Sequence, residues 1–309
     1  MIVGGLLVIA GLAAVVWGAE RFTDGALGTA RRLGVSAFWI GAAVSGFEPE
    51  NLVTGVAAAA SALPQIALGT VIGSAVFLLT GALGLSLAIV PMAVTIPRAG
   101  AVAMGLALGA FGVALADGRV SRLEGVVLVA AAVALMGWLH RRSRAFTAAE
   151  NDDDDDAPPR LRRELVLLAL GLVALIAGAE LVVRGARALV ATSPLSETFL
   201  GMVVIGLGES VEETARMIVP ARRGHPDLAL GNVVGTVVVL LALNLGVIAL
   251  VAPPVADPRV LAFHSPFLAA CVVGVAAALG FARRLGRGVG VVLLAAYAAY
   301  LAVNVAMLG

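Results

Sequence analysis

The chain has 309 residues, 61% of them apolar and 13% charged, with a mean hydropathy of +1.03. A water-soluble protein of this length carries far more polar surface, so lipid is the natural solvent for most of this one. The net charge of +1 excludes the strong basic field that a nucleic-acid partner requires. The one cysteine, Cys271, excludes an intrachain disulfide and reads as a small buried hydrophobe.

A spanning helix needs about 20 mostly apolar residues. Ten segments qualify, at 2–19, 35–60, 64–90, 98–116, 121–140, 163–184, 196–220, 226–252, 259–281 and 287–308. The first begins apolar at Ile2 with no basic stretch before it and no small-residue cleavage site after it, so a retained first helix is expected rather than a signal peptide. Short loops with Arg, Asp, Pro or Gly separate most segments. The exception is 141–162, where arginines, the run Asp152 to Asp156 and the pair Pro158-Pro159 read as a solvated acidic linker. It divides the chain into five-helix halves, 1–140 and 163–309.

Counted alternately from the N-terminus, the odd loops hold Arg21, Arg31, Arg32, Arg98, the linker arginines, Arg222, Arg223, Arg283, Arg284 and Arg287. The even loops hold only Arg119, Arg122, Arg184, Arg187 and Arg259. Positive residues stay cytoplasmic. The expectation is a multi-pass protein of the cell membrane with both termini outside and the linker inside.

The halves repeat one another. Gly18-Ala19-Glu20 recurs as Gly178-Ala179-Glu180, and Gly25-Ala26 as Gly185-Ala186. Pro64-Gln-Ile-Ala-Leu-Gly-Thr-Val-Ile-Gly-Ser74 recurs as Pro226-Asp-Leu-Ala-Leu-Gly-Asn-Val-Val-Gly-Thr236. With an odd number of helices per half, the second half inserts upside down, the inverted-repeat arrangement of secondary transporters.

The second segment of each half carries a polar interruption. The first reads Gly46-Phe47-Glu48-Pro49-Glu50-Asn51, the second Gly208-Glu209-Ser210-Val211-Glu212-Glu213. Both are expected to break the helix at mid-depth, which is tolerable only where freed backbone lines a cavity. Five carboxylates would be costly against lipid, so they are expected to face inward, toward one another and toward water or a cation. With hydroxyls and carbonyls they form a hard oxygen set suited to Ca²⁺, Na⁺ or protons. Low dielectric favours the uncharged form of a carboxylate, so proton competition is natural there. The bland reading has some glutamates capping broken ends or pairing with arginine, and it weighs most on Glu50 and Glu212.

In the third segment of each half, Gly69, Gly73, Gly231 and Gly235 read as close-packing positions. Ser74 and Thr236 on the same face either ligate a cation or bond back to a carbonyl one turn earlier. Thr70 and Asn232 are weaker candidates. Glu20 and Glu180 read as interfacial residues at the ends of the first helices. His264 and Asn304 show no partner.

These motifs resemble the cation/Ca²⁺ antiporter superfamily, close to prokaryotic sodium/calcium exchangers, over nearly the whole chain. The family's repeat runs roughly Gly-Thr-Ser-x-Pro-Glu and, some 19 residues on, Gly-Asn-x-x-Gly-Ser-Asn. The resemblance places Glu213 at the family's cation-binding glutamate, with Ser210 and Thr236 as hydroxyl or carbonyl ligands. In the first half, gap-free alignment puts Asn51 at that position and Glu48 at the family's serine; a one-residue shift would put Glu50 there instead. One turn beyond Ser74 and Thr236, where the exchangers place an Asn or Asp, stand Leu78 and Leu240.

The resulting expectation is an all-α membrane protein of ten transmembrane helices in two inverted repeats. It would be a monomeric antiporter of inorganic cations, without cofactor, exchanging Ca²⁺ for Na⁺ or H⁺. Its cation set would be drawn from Glu48, Asn51, Ser74, Glu209, Ser210, Glu213 and Thr236, with Glu50 and Glu212 behind them. The resemblance implies that the first and sixth helices slide to switch access. Two alternatives stay open: a cation-binding protein that does not exchange, and an intramembrane metal-dependent enzyme.

Overall fold

The computed structural model describes residues 2–150, 161–190 and 197–307, the side chains of residues 2, 144–150, 186, 187, 189, 190 and 197–209 excepted. The acidic run Asp152 to Asp156 lies outside the described residues. The helices follow in chain order: α1 (Ile2–Leu33), α2 (Ala37–Ile40), α3 (Pro49–Ala60), α4 (Pro64–Val76), α5 (Leu83–Ile89), α6 (Ala99–Ala114), α7 (Arg122–Glu150), α8 (Leu161–Val190), α9 (Glu197–Arg222), α10 (Pro226–Val238), α11 (Leu245–Val251), α12 (Ser265–Phe281) and α13 (Arg287–Ala306). Wide π-helical turns continue α2 (Gly41–Ser45), join α4 to α5 (Phe77–Ala82) and α10 to α11 (Val239–Asn244), and lead into α12 (Val260–His264).

Among the described residues, seven helices are long and apolar enough to cross a membrane. Three further expected segments differ in informative ways. The second is broken, α6 is short with 16 residues, and α9 carries the charged cluster. The first helix runs well past residue 19 to Leu33, where Gly34 stops it at φ +63, a conformation that favours glycine. Glu20 and Glu180 therefore sit within helices rather than at their ends. The seventh helix continues to Glu150, into the region expected as linker.

The chain forms two compact units, and each takes residues from both sequence halves. The first comprises Met1–Gly34 and Asp153–His225, which holds α1, α8 and α9. Here α1 and α8 pack antiparallel along a glycine seam. Gly11, Gly18 and Gly25 recur every seven residues on one helix, and Gly171, Gly178 and Gly185 on the other. A Cβ at Gly11, Gly18, Gly178 or Gly185 would fall 2.6–2.8 Å from a backbone atom of the facing helix. Two turns of helix per glycine keep the bare stripe on one face, and the backbones close over it. The Gly-Ala doublets of the sequence repeat are this seam. Arg223 Nη2 meets Asp24 Oδ1 at 2.6 Å and ties the end of α9 to α1.

The second unit comprises Val35–Asp152 and Pro226–Gly309. Its centre is α10, whose residues from Asp227 to Val238 are all buried. Two short strands, β1 (Met92–Ala93) and β2 (Arg284–Leu285), pair antiparallel and join the loops before α6 and α13. A bridge between Arg119 and Val255 joins the loops before α7 and α12. Gln65 adds bonds to the Val255 carbonyl at 2.9 Å and from the Asp257 N–H at 3.1 Å. Loops of like parity thus pair with one another within this unit, odd with odd and even with even.

The repeat reaches into backbone irregularity. The π turns Phe77–Ala82 and Val239–Asn244 sit at equivalent positions, 162 residues apart like the Pro64 and Pro226 motifs. Leu78 and Leu240 lie inside these turns, 1% and 0% exposed.

Candidate functional site

The break before α3 follows directly from its residues. Ser36 caps α2 by accepting the Trp39 N–H at 3.2 Å. Pro49 begins α3 at its first turn, where a missing N–H costs nothing. Between Gly46 and Pro49 the chain cannot continue as helix, and Glu48 adopts φ −112, ψ 89. Its carboxylate does not cap α3.

Instead Glu48 turns inward and is 6% exposed. Its Oε1 accepts the Thr236 hydroxyl of α10 at 3.1 Å. Its Oε2 accepts the Asn51 amide, and Asn51 Oδ1 accepts the Ser74 hydroxyl of α4 at 3.1 Å. One polar chain, Ser74–Asn51–Glu48–Thr236, therefore joins α4, α3, the break and α10. Beside it the Ser45 hydroxyl donates to Asn232 Oδ1 at 2.7 Å, with Asn232 fully buried.

Glycines permit this approach. A Cβ at Gly46 would stand 2.6 Å from the Thr236 nitrogen. Gly41 lies against the Leu228 carbonyl, Gly231 against the Phe38 carbonyl and Gly235 against the Ala42 carbonyl. The repeat is not symmetric here. Gly69 and Gly73, the counterparts of Gly231 and Gly235, have nothing near them, so the packing expected of these two is absent. They line an open cavity of about 440 Å³ with Gln65, Asp257, His264 and Tyr300. His264 does find a partner there, since its Nδ1 lies 2.9 Å from the Tyr300 hydroxyl.

In the other unit, α9 runs unbroken from Glu197 to Arg222, contrary to the interruption expected at 208–213. The physical reason is the missing proline. Gly208 weakens a helix by about 1 kcal/mol, but nothing at this point removes an N–H. Arg216 stitches the turn further. Its Nη1 donates to Glu213 Oε1 at 3.2 Å and its Nη2 donates to Glu212 Oε1. All three are buried, Arg216 at 2% and each glutamate at 8%. Spacings of three and four place such pairs on one helix face.

Glu48, Asn51, Ser74 and Thr236 are thus brought together, while Glu212 and Glu213 share an arginine. Glu50 is exposed and outside the polar chain. Ser210 is half-buried on α9, and the side chain of Glu209 lies outside the described residues. Thr70, one of the weaker candidates, bonds back to the Ile66 carbonyl at 3.0 Å. Ser45 and Arg216 are the participants that motif reading missed. For Arg216 a signal existed: an arginine three and four residues beyond two glutamates in an apolar helix needs a partner.

Chemically, the polar chain of the second unit offers one carboxylate, two hydroxyls and an amide carbonyl. These are the hard oxygen donors that Na⁺ and Ca²⁺ take. No group of three or more metal-ligating His, Cys, Asp or Glu occurs among the described residues.

Residues 3–139 and 163–306 match the family described as sodium/calcium exchanger protein. The chain belongs to the sodium/calcium exchanger protein family. It is 30% identical to the putative antiporter CaxA of Alkalimonas amylolytica over 97% of this chain and 98% of that one. It is 29% identical to the inner membrane protein YrbG of Escherichia coli K12 over 98% and 97% of the two chains. Among solved structures, the sodium-calcium exchanger NCX_Mj soaked without Na⁺ and Ca²⁺ superposes with a TM-score of 0.82 at 26% identity, covering 98% of this chain and 99% of that one. The fold is that of this exchanger, and the protein is a multi-pass membrane antiporter of inorganic cations rather than an enzyme.

Proposed function

We propose that this antiporter exchanges Ca²⁺ for Na⁺ or H⁺ by alternating access, with ten spanning helices in two inverted repeats, as a monomer and without a cofactor. One observation carries the reading: Glu48 is buried at a helix break yet surrounded by oxygen and amide groups from α3 and α10. A carboxylate at membrane depth is costly unless its charge is compensated, and the oxygens gathered around this one suit a visiting cation. Asn51, Ser74 and Thr236 would complete the oxygen set around it. Glu213 and Ser210 on α9, with Glu209 beside them, form the second set that the family resemblance points to, and Glu50 and Glu212 flank the two. The structural likeness to an exchanger soaked with Na⁺, Ca²⁺ and Sr²⁺ supports these ions as the first to try.

Competition couples the fluxes. If two ions share one set of oxygens and bind differently in the two access states, neither crosses without the other. The pairing of like-parity loops in the second unit supports a regular up-and-down path for its helices. The excess of arginine in odd loops then puts both termini outside and residues 141–162 in the cytoplasm.

The test is uptake of radiolabelled Ca²⁺ into liposomes holding the purified protein, under an imposed Na⁺ gradient and, separately, a pH gradient. Uptake driven by either supports the reading and names the counter-ion. Absence of uptake with both, from protein that remains monodisperse, refutes Ca²⁺ exchange. A second reading, cation binding without exchange, is favoured by one observation: Arg216 already occupies Glu212 and Glu213. It predicts Ca²⁺ binding at equilibrium with no flux under either gradient.

A further inference from the structure

The guanidinium of Arg216 is almost wholly buried and contacts two buried carboxylates on its own helix, Glu213 at 3.2 Å and Glu212. Arginine does not lose its proton in proteins, so this is a permanent positive charge. Burying such a charge in an apolar helix is costly unless it is paired, which ties the arginine to these two glutamates. With both carboxylates ionised, the turn carries one net negative charge where two would otherwise stand. Any cation that approaches them competes with a cation already attached to the chain.

We propose that Arg216 is a specificity-determining residue of the exchanger: a built-in counter-ion that competes with transported cations for Glu212 and Glu213 and stands in for one monovalent ion in the exchange cycle. The stand-in role rests on the antiporter reading above; the competition does not. Three consequences follow. The α9 carboxylates favour singly charged over doubly charged ions, because a divalent ion gains most from two free carboxylates. The exchange moves one fewer monovalent ion per Ca²⁺ than it would with both glutamates free. The arginine also holds the turn helical, through pairs at three and four residues.

The effect is tested on the full chain in lipid nanodiscs by titration calorimetry with Ca²⁺ and with Na⁺, comparing the wild type with R216Q and R216K. Removing the guanidinium charge beside both carboxylates should tighten Ca²⁺ binding by about tenfold or more, and Na⁺ binding by less. R216K keeps the charge and should return Ca²⁺ affinity toward the wild-type value, which a merely structural role for the guanidinium fork would not require. In proteoliposomes, R216Q should consume one more monovalent ion per Ca²⁺, read from the gradient that just halts net Ca²⁺ movement.

Ca²⁺ binding by R216Q no tighter than wild type, or R216K indistinguishable from R216Q, would overturn the proposal. Should R216Q fail to fold, E212Q and E212Q/R216Q carry the test. The single variant leaves the turn with no net charge, and the double variant restores the wild-type charge. The double should then bind Ca²⁺ about tenfold more tightly than the single, and equal binding would refute the counter-ion role. Absence of flux in every variant would remove the antiporter reading while these binding results still decide the competition.

Discussion

Thr236 donates its hydroxyl to Glu48 at 3.1 Å across 188 positions of sequence, joining the second repeat to the carboxylate of the first. Both groups are buried, so this bond forms in low dielectric, where a hydrogen bond to a charged group contributes about 1.5–3 kcal/mol. It also orients one carboxylate oxygen of Glu48. The serine or threonine that ends each glycine motif is therefore part of the polar centre, not a residue bonding back along its own helix.

Removing the charge and removing the bond should have different weights. E48Q should remove the share of Ca²⁺ binding that the polar chain supplies and stop any Ca²⁺ flux, since Glu48 is its one carboxylate among the described residues. T236V should weaken binding by about tenfold, the loss of one bond to a charged group, while T236S should keep it. Calorimetry on the three variants measures the order. Equal affinities for T236V and wild type would remove Thr236 from the site. As a contrast, E180Q should leave binding intact. Glu180 pairs with Arg184 at 2.7 Å on an exposed helix face, where such pairs contribute at most about 1 kcal/mol.

Asn51 separates Glu48 from Ser74 by donating to the first and accepting from the second. N51D turns that donor into a second carboxylate facing Glu48. Two carboxylates at one hydrogen bond repel unless a proton or a cation lies between them, so the comparison is made at a pH that ionises both. N51D should therefore raise the preference for Ca²⁺ over Na⁺ by about tenfold, measured by competition of Na⁺ against bound Ca²⁺. A lowered preference would mean that Asn51 supplies an amide carbonyl that no carboxylate can replace.

The glycine seam makes a prediction about stability alone. G18L would drive a side chain into the backbone of α8, where even a Cβ meets the Leu175 nitrogen at 2.8 Å. Overpacking costs about 1–3 kcal/mol in adaptable cores, and backbone yields less than side chains. G18L and G178L should lower the thermal midpoint strongly. G69A should raise it slightly, because Gly69 has open space and alanine is the better helix former by about 0.5–1 kcal/mol. A scan of thermal unfolding by intrinsic fluorescence separates the three, and a tolerated G18L would deny that close approach holds α1 to α8.

The fold was legible where a residue type dictates backbone. Pro64 and Pro226 start α4 and α10, and Gly46 with Pro49 breaks the second helix where expected. The repeat singles out Ser74 and Thr236, and both hydroxyls join the polar chain. It could not show that the two compact units each draw on both halves, because that pairing is long-range. The break expected in α9 does not form because the second repeat keeps Gly208 but has no proline at the position of Pro49, the residue that does the breaking in the first. The glycines every seven residues in α1 and α8 were visible as doublets, but only the facing helix gives their spacing a cause. The offset of Arg216 from Glu212 and Glu213, four and three residues, is visible in the sequence and announces the pairing.

Leu78 and Leu240 admit the sharpest test of how this exchanger differs from its relatives. They occupy the turn where the resemblance leads one to expect an Asn or Asp, yet both are buried inside equivalent π-helical turns. If these turns are packed core, an amide there has no partner and costs about 1–3 kcal/mol per unsatisfied group. L78N and L240N should then lower the thermal midpoint, and the double variant by roughly the sum, with Na⁺ and Ca²⁺ affinities unchanged in the protein that remains folded. If instead the leucines stand on the wall of the cation site, L240N should hold the midpoint in Na⁺ or Ca²⁺ and tighten one of them. The buried positions of both side chains favour the first outcome.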